Sequence, residues 1–118
     1  MLDLYTYSGC DGCRKAIKWL ESNGIEFTNK PIRETPPSDA ELKIMLSAYA
    51  GELKKLFNVS GMDYRSLGIK DKLPGMGETE ALKLLAGNGN LIKRPFALKG
   101  DEGRVGFKEA VWEEWLLD

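Results

Sequence analysis

The two cysteines of the chain, Cys10 and Cys13, lie in the stretch YTYSGCDGCRKAIKWL, residues 5–20. Cysteine chemistry needs a thiolate, so a pair at this spacing predicts a redox couple, one catalytic thiol with a neighbour, or half of a zinc site. A closed structural zinc site needs four cysteine or histidine ligands. The chain has no histidine and no other cysteine, so we expect no metal site within it.

The elements predicted around the pair favour a reactive Cys10. The apolar run 2–7 is typical of a buried strand that ends in a turn. Apolar residues at helical spacing over 13–23, followed by Gly24, predict a helix that begins at the cysteines. Unpaired N–H groups at a helix N-terminus and the nearby Arg14 lower the pKa of a thiol there. Cys10 is therefore the predicted nucleophile.

Cys13 is predicted to lie one turn into this helix. From there it could attack an adduct on Cys10, which is the resolving role in CxxC chemistry, or it could simply be a small buried helix residue. A CxxC that follows a strand and opens a helix is a more specific redox signal than CxxC alone. We therefore predict a redox function.

The remaining pattern predicts an α/β fold. Residues 25–28 read as a second strand, parallel to the first, and Ser38 to Glu41 form a capping box that starts a helix at about residue 39. Further predicted elements are helical segments at 53–57, 64–67 and 80–86, strands at 96–98 and 105–107 around a turn at 99–103, and a final helix. The order is βαβ, a helical insert of about residues 36–90, and ββα.

Composition bounds the function classes. The 118 residues, 42% hydrophobic and 30% charged, predict a single domain over residues 1–118 with one core. With 17 basic and 18 acidic side chains, the net charge of −1 gives no drive toward nucleic acid or a membrane surface. No stretch has the ~20 apolar residues of a membrane span, so we expect a cytoplasmic protein whose thiols are kept reduced. We also expect the protein to be a monomer.

Several stretches together resemble the thioredoxin-like arsenate reductase (ArsC)/Spx family. They are YTYSGCDGCRKAIKWLESNGIEF near the N-terminus, YRSLGI at residues 64–69, and LIKRPFAL followed by GRVGF near the C-terminus. The resemblance covers essentially the whole chain. It implies a thioredoxin-like α/β fold with a mixed sheet.

The resemblance also implies roles for individual residues. In that family the cysteine at the place of Cys10 attacks arsenate, and the arginine of the Arg-Pro motif, here Arg94, holds the oxyanion. Arg104 of the final hairpin is a further candidate, and Pro95 matches a cis proline beside the cysteine loop. Guanidinium groups suit this role because they bind oxyanions in a bidentate manner. Without the resemblance, Arg94 would be an ordinary strand-end arginine and Pro95 a strand-edge proline.

The sequence departs from the arsenate-reducing pattern at three places. Lys54 stands where the best-known reductases carry another oxyanion-binding arginine, and lysine keeps the charge but loses the planar fork. Asp11 opposes anion binding by its charge. The glutaredoxin-dependent reductases generally have one cysteine in the loop, whereas this chain has Cys13 followed by Arg14, a further candidate for substrate binding.

Two functions remain open from the sequence. The first is a thiol oxidoreductase acting on an oxyanion or a disulfide, without a bound cofactor, that takes electrons from glutathione with glutaredoxin or from thioredoxin. The second is an Spx-like redox-sensing regulator that binds the C-terminal domain of the RNA polymerase α subunit through a Cys10–Cys13 disulfide switch. Gly51 is a weak counterpart of the exposed glycine used in that contact. The same cysteines serve both functions.

Overall fold

The computed structural model describes residues 1–117, so residue 118 of the predicted domain lies outside the described part. Four strands form one sheet in the order β2-β1-β3-β4: β1 (Leu2–Thr6), β2 (Phe27–Pro31), β3 (Phe96–Lys99) and β4 (Glu102–Val105). Strand β1 runs parallel to β2 and antiparallel to β3, which is antiparallel to β4. The predicted mixed sheet is confirmed.

Helices connect and cover these strands. They are α1 (Asp11–Ser22), α2 (Asp39–Ala48), α3 (Met62–Ser66), α4 (Ile69–Lys72), α5 (Glu78–Gly87) and α6 (Glu109–Leu116). Short 3₁₀ turns occur at Leu53–Leu56, Leu73–Gly75 and Gly89–Leu91. The predicted order of elements, with helices filling the middle of the chain, is therefore confirmed. No helix within residues 1–117 has the length and apolar character to cross a membrane.

The sheet separates two apolar clusters because alternate strand residues face opposite sides. On one side Leu4 of β1 and Ala97 of β3 pack with Leu20 of α1 and Trp112 of α6. On the other side Tyr5 of β1 belongs to a larger cluster. That cluster also contains buried residues of β3 and of the middle helices, among them Phe96, Leu42, Met45, Phe57, Leu82 and Leu85. The molecule thus has three layers, and α1 begins at the edge of the sheet where β1 ends.

Helix α2 begins where the sequence predicts it. The Ser38 hydroxyl accepts the Glu41 N–H at 3.2 Å and Oε1 of Glu41 accepts the Ser38 N–H at 3.0 Å, so the capping box is complete. The same carboxylate accepts the Tyr5 hydroxyl at 2.7 Å. This bond ties the insert to the central strand β1.

Two strands, β2 and β4, are displaced from their predicted positions. Strand β2 begins at Phe27 because the Ile25 N–H still bonds the Leu20 carbonyl and belongs to the end of α1. Strand β4 spans Glu102–Val105 and shares only Val105 with the predicted strand at 105–107, because Gly106 has a φ of +73° and turns the chain away. The predicted turn at 99–103 is correspondingly shorter, with its left-handed residue at Gly100.

Candidate functional site

Cys10 lies directly at the start of α1. It is the N-cap residue, its carbonyl accepts the Arg14 N–H at 3.1 Å, and its Sγ accepts the Cys13 N–H at 3.4 Å. Cys10 is half-buried, so it is the more accessible of the two cysteines. A first-turn N–H directed at a sulfur stabilises negative charge on it. The predicted position of Cys10 at the helix terminus is confirmed.

Cys13 lies in a different environment from Cys10. It is only 1% exposed, and burial raises the pKa of its thiol to about 12, with smaller contributions in the same direction from the hydrogen bond and the charge of Cys10. A backbone hydrogen bond from Tyr7 and the charge of Arg94 act in the opposite direction. Both cysteines are free thiols. Cys13 is therefore a neutral, shielded partner of the accessible Cys10.

Pro95 faces the cysteine loop. The Arg94–Pro95 peptide bond is cis, as the resemblance implies. A Cβ placed on Gly12 would lie 3.8 Å from Cδ of Pro95 and 3.9 Å from Sγ of Cys10. The Cys10 sulfur and the Pro95 ring thus flank the same glycine.

Arg94 brings a positive charge to the cysteines. Its guanidinium lies 5.2 Å from the ring centroid of Tyr7, and its charge acts on the Cys13 thiol. The Nη1 atom of Arg94 is buried, and no described residue accepts a hydrogen bond from it. Because a buried donor without an acceptor costs free energy, this nitrogen favours binding of an acceptor from outside the chain.

Arg14 is engaged within the loop itself. Its Nη1 donates to the Ser8 carbonyl at 2.6 Å, and its Nη2 pairs with the carboxylate of Asp11. Both charged side chains are exposed. The negative charge of Asp11, which would oppose an anion, is therefore offset by Arg14, whose own charge is less available to a ligand.

Lys54 and Arg104 lie apart from this loop. Both line a groove of about 790 Å³ between the 3₁₀ turn Leu53–Leu56 and the final hairpin, together with Lys55, Lys93 and Lys108; neither cysteine lines it. The Arg104 guanidinium lies 5.0 Å from the Trp115 ring and donates to the Gly103 carbonyl at 2.7 Å. The structure thus brings Cys10, Cys13, Arg94 and Pro95 together and places Lys54 and Arg104 in a second, basic groove.

Comparison with known proteins agrees with the geometry. The model of the ArsC family matches residues 5–115. The chain belongs to the ArsC family. It is 50% identical to the protein YusI of Bacillus subtilis over 113 residues, and this alignment covers 96% of each chain. It is also 31% identical over 110 residues to the global transcriptional regulator Spx 1 of Oceanobacillus iheyensis, covering 92% of this chain and 82% of that protein.

Solved structures of ArsC relatives show the same fold. A possible arsenate reductase from Streptococcus mutans is 37% identical, with a TM-score of 0.91 and 98% of each chain covered. A putative ArsC family related protein from Bacteroides fragilis is 42% identical, with a TM-score of 0.89 over 96% of this chain and 95% of that one. The thioredoxin-like fold is therefore confirmed for this ArsC protein.

Sequence reasoning missed two residues of this ArsC site. The Tyr7 carbonyl accepts the Cys10 N–H at 3.1 Å, while the Tyr7 ring lies under the guanidinium groups of both Arg94 and Arg33. Arg33, in the loop after β2, is the closer of the two, with its Cζ 4.0 Å from the ring centroid. Tyr7 ends the apolar run before the cysteines, which was a usable signal, but no spacing rule singles out Arg33. No cluster of three or more potential metal ligands occurs among residues 1–117.

Proposed function

We propose that this ArsC-family protein is a thiol oxidoreductase in which Cys10 attacks the substrate and Cys13 resolves the adduct. The observation that carries the proposal is the unequal placement of the two thiols. The accessible Cys10 sulfur receives an N–H from the first turn of α1, whereas Cys13 is buried and its pKa is raised to about 12. One thiol is thereby suited to first attack and the other to a later step.

With a disulfide substrate the reaction has two exchanges. The Cys10 thiolate attacks one substrate sulfur, forming a mixed disulfide and expelling the other sulfur as a thiolate. Cys13 then gives up its proton to solvent and attacks Sγ of Cys10, which forms the Cys10–Cys13 disulfide and releases the second substrate thiolate. Two electrons pass from the cysteine pair to the substrate. An external dithiol or glutathione returns the pair to the reduced state.

The same contacts order the two steps. In the reduced protein the charge and hydrogen bond of Cys10 contribute to the raised pKa of Cys13. Once Cys10 is in a mixed disulfide its charge is gone, so these two contributions fall. The backbone hydrogen bond from Tyr7 and the charge of Arg94 still favour the Cys13 thiolate. Cys13 therefore becomes a better nucleophile only after Cys10 has reacted.

Arsenate is the oxyanion substrate that the relatives suggest. The Cys10 thiolate would form a bond to arsenic(V) as one arsenate oxygen leaves, after protonation, as water. A second thiol, Cys13 or one from glutathione, glutaredoxin or thioredoxin, then attacks the Cys10 sulfur. The sulfur–arsenic electron pair goes to arsenic, which leaves as arsenite while a disulfide forms. The unpaired Nη1 of Arg94 supports this version because it offers a donor for the oxyanion.

The test measures two activities separately, each after subtraction of the rate without this protein. One is the single-turnover release of glutathione when the pre-reduced protein meets glutathione disulfide, and the other is arsenate turnover with thioredoxin, or glutathione and glutaredoxin, supplying electrons. We expect Cys10→Ser to abolish both activities, and Arg94→Ala to reduce arsenate turnover more than disulfide turnover. A matched control is Arg65→Ala, which removes an exposed arginine that donates to the Ser60 carbonyl. Turnover that survives in Cys10→Ser would overturn the proposal.

A second candidate is a redox-sensing regulator, which the 31% identity to Spx 1 favours. Gly51 supports it because this residue is exposed just after α2, with a φ of +82° and open space where a Cβ would lie. The partner would be the C-terminal domain of the RNA polymerase α subunit, with docking set by the Cys10–Cys13 disulfide.

The regulator has its own test, in which the polymerase domain is captured on reduced and on oxidised protein. Gly51→Arg should abolish binding, whereas Gly24→Arg should not. Gly24 is a matched control because it is also exposed, with a φ of +66° and open space around it. Equal loss in both variants, or no binding in either redox state, would exclude this candidate.

A further inference from the structure

Two guanidinium groups lie over one tyrosine ring beside the cysteine loop. Cζ of Arg33 is 4.0 Å and Cζ of Arg94 is 5.2 Å from the ring centroid of Tyr7. Within residues 1–117 neither arginine forms an ion pair with a carboxylate. The main chain of Tyr7 contacts both cysteines, by accepting the Cys10 N–H and by a hydrogen bond to the Cys13 thiol. Tyr7 therefore links both guanidinium groups to the thiol pair.

We propose that Arg33 is the second guanidinium of the anion site beside Cys10, and that this site takes a tetrahedral oxyanion with two negative charges. The inference rests on the proposed function, in which Cys10 is the reacting thiol. One guanidinium matches one charge of such an anion, so a doubly charged ligand favours a second one. Arg104 and Lys54, the residues that the resemblance offers for that task, both line the other groove.

The insert holds Arg33 in this position. Nε of Arg33 donates to Oδ1 of Asn90 at 2.5 Å, and Nδ2 of Asn90 donates to Oδ2 of Asp63 at 3.4 Å. The Asn90 N–H is in turn bonded to Oδ1 of Asn88 at 3.0 Å. With Nε engaged by Asn90 and one face on Tyr7, the guanidinium edge that carries the two Nη atoms is left for a ligand. Asn90 and Tyr7 are thus positioning residues for Arg33.

The experiment follows protection of Cys10 from alkylation by iodoacetamide, an uncharged reagent, as inorganic phosphate is added. Mass spectrometry assigns the label to Cys10 or Cys13, and phosphate is chosen because it binds like arsenate without being reduced. We expect phosphate to protect the wild-type protein. The half-protecting concentration should rise about tenfold or more in Arg33→Ala, as loss of a charge-assisted hydrogen bond implies. Because each protein is compared with its own rate without phosphate, altered thiol reactivity alone does not mimic the effect.

Two further variants separate charge from position. Arg33→Lys keeps the positive charge but loses the planar guanidinium group. Asn90→Ala keeps Arg33 but removes the side chain that accepts its Nε–H. Each variant should therefore weaken protection less than Arg33→Ala. Arg65→Ala should leave protection unchanged. These variants also carry the test if Arg33→Ala fails to fold, which thermal unfolding would show. A merely structural Arg33 would change the melting temperature without shifting the phosphate dependence.

The outcomes distinguish this inference from the proposed function. If Arg94→Ala loses protection while Arg33→Ala keeps it, Arg33 is not part of the anion site and the inference is wrong. If phosphate never protects the wild-type protein, the inference is also wrong. In either case disulfide turnover that requires Cys10 would leave the proposed thiol oxidoreductase standing. Disulfide turnover that continues in Cys10→Ser would instead overturn the proposed function itself.

Discussion

The main-chain N–H of Cys13 donates to the sulfur of Cys10 across 3.4 Å. The second cysteine of the motif therefore supports the first through its backbone, whatever side chain it carries. Its own thiol is buried and neutral, because burial raises its pKa to about 12. The backbone of residue 13 thus belongs to the first chemical step and its side chain to the second, so substitution of the side chain can separate the two steps.

Cys13→Ser should trap the first step. The variant keeps the N–H that faces Cys10, so attack on glutathione disulfide continues, but no thiol remains to resolve the mixed disulfide. We expect close to one glutathione per chain on Cys10 by intact-mass measurement, with little accumulation in the wild-type protein. Equal accumulation in both proteins would show that Cys13 does not resolve the adduct.

Stability should fall at alkaline pH because of Cys13. Its pKa is raised from an ordinary value of 9.0 to about 12 in the folded protein. Between these values the unfolded chain loses a proton that the native chain keeps, so the free energy of unfolding decreases as pH rises. Below about pH 9 the thiol is protonated in both states and contributes no pH dependence. Urea unfolding in reductant at pH 8, 9 and 10 would measure this decline.

The matched control for this pH dependence is Cys13→Ala. It should show a shallower decline above pH 9, because the titrating thiol is gone. Tyr5, whose pKa is also raised by burial and by its bond to Glu41, contributes equally to both proteins above about pH 10. Identical declines in the two proteins would contradict the shielded state of Cys13.

The elements that the sequence predicts correctly are those with local causes. The capping box of α2 lies within four residues, and α1 follows from apolar residues at helical spacing within one short segment. The ends of β2 and β4 depend instead on longer contacts and on backbone turns. Ile25 is held by α1, and Gly106 takes a left-handed conformation that the apolar Val-Gly-Phe pattern conceals.

The same division applies to the site. Cys10, Cys13 and the cis Pro95 lie in motifs that the sequence displays, and the structure places them together. The contact between Arg33 and Tyr7 arises because parallel pairing of β1 with β2 brings the loops after both strands to one edge of the sheet. Such a contact between distant segments leaves no mark in local spacing, which is why Arg33 was missed.

Asp11→Asn should strengthen anion binding at the cysteine loop. The change removes one negative charge and frees the Arg14 guanidinium, which now pairs with that carboxylate. Because both groups are exposed, the gain is modest, about two- to fivefold in the half-protecting phosphate concentration. It should shrink as sodium chloride is raised, since salt screens exposed charges. Weaker anion binding in Asp11→Asn would show that Asp11 positions Arg14 more than it repels the ligand.

Gly89→Ala should destabilise the packing of the insert against the loop that follows β2. A Cβ at this buried position would overlap the carbonyl oxygen of Ile32 and lie 3.0 Å from Cα of Arg33, and backbone atoms cannot move aside as a flexible side chain does. We expect a loss of about 1–3 kcal/mol in the free energy of unfolding, the usual range for overpacking. The displaced Arg33 should also weaken phosphate protection of Cys10.

Gly87→Ala is the matched control, because a Cβ there meets open space at the end of α5. This variant should leave stability unchanged or raise it by about 0.5–1 kcal/mol. Equal stability of the two variants, measured by urea unfolding, would mean that the loop after β2 can retreat from Gly89 and that the insert does not fix Arg33.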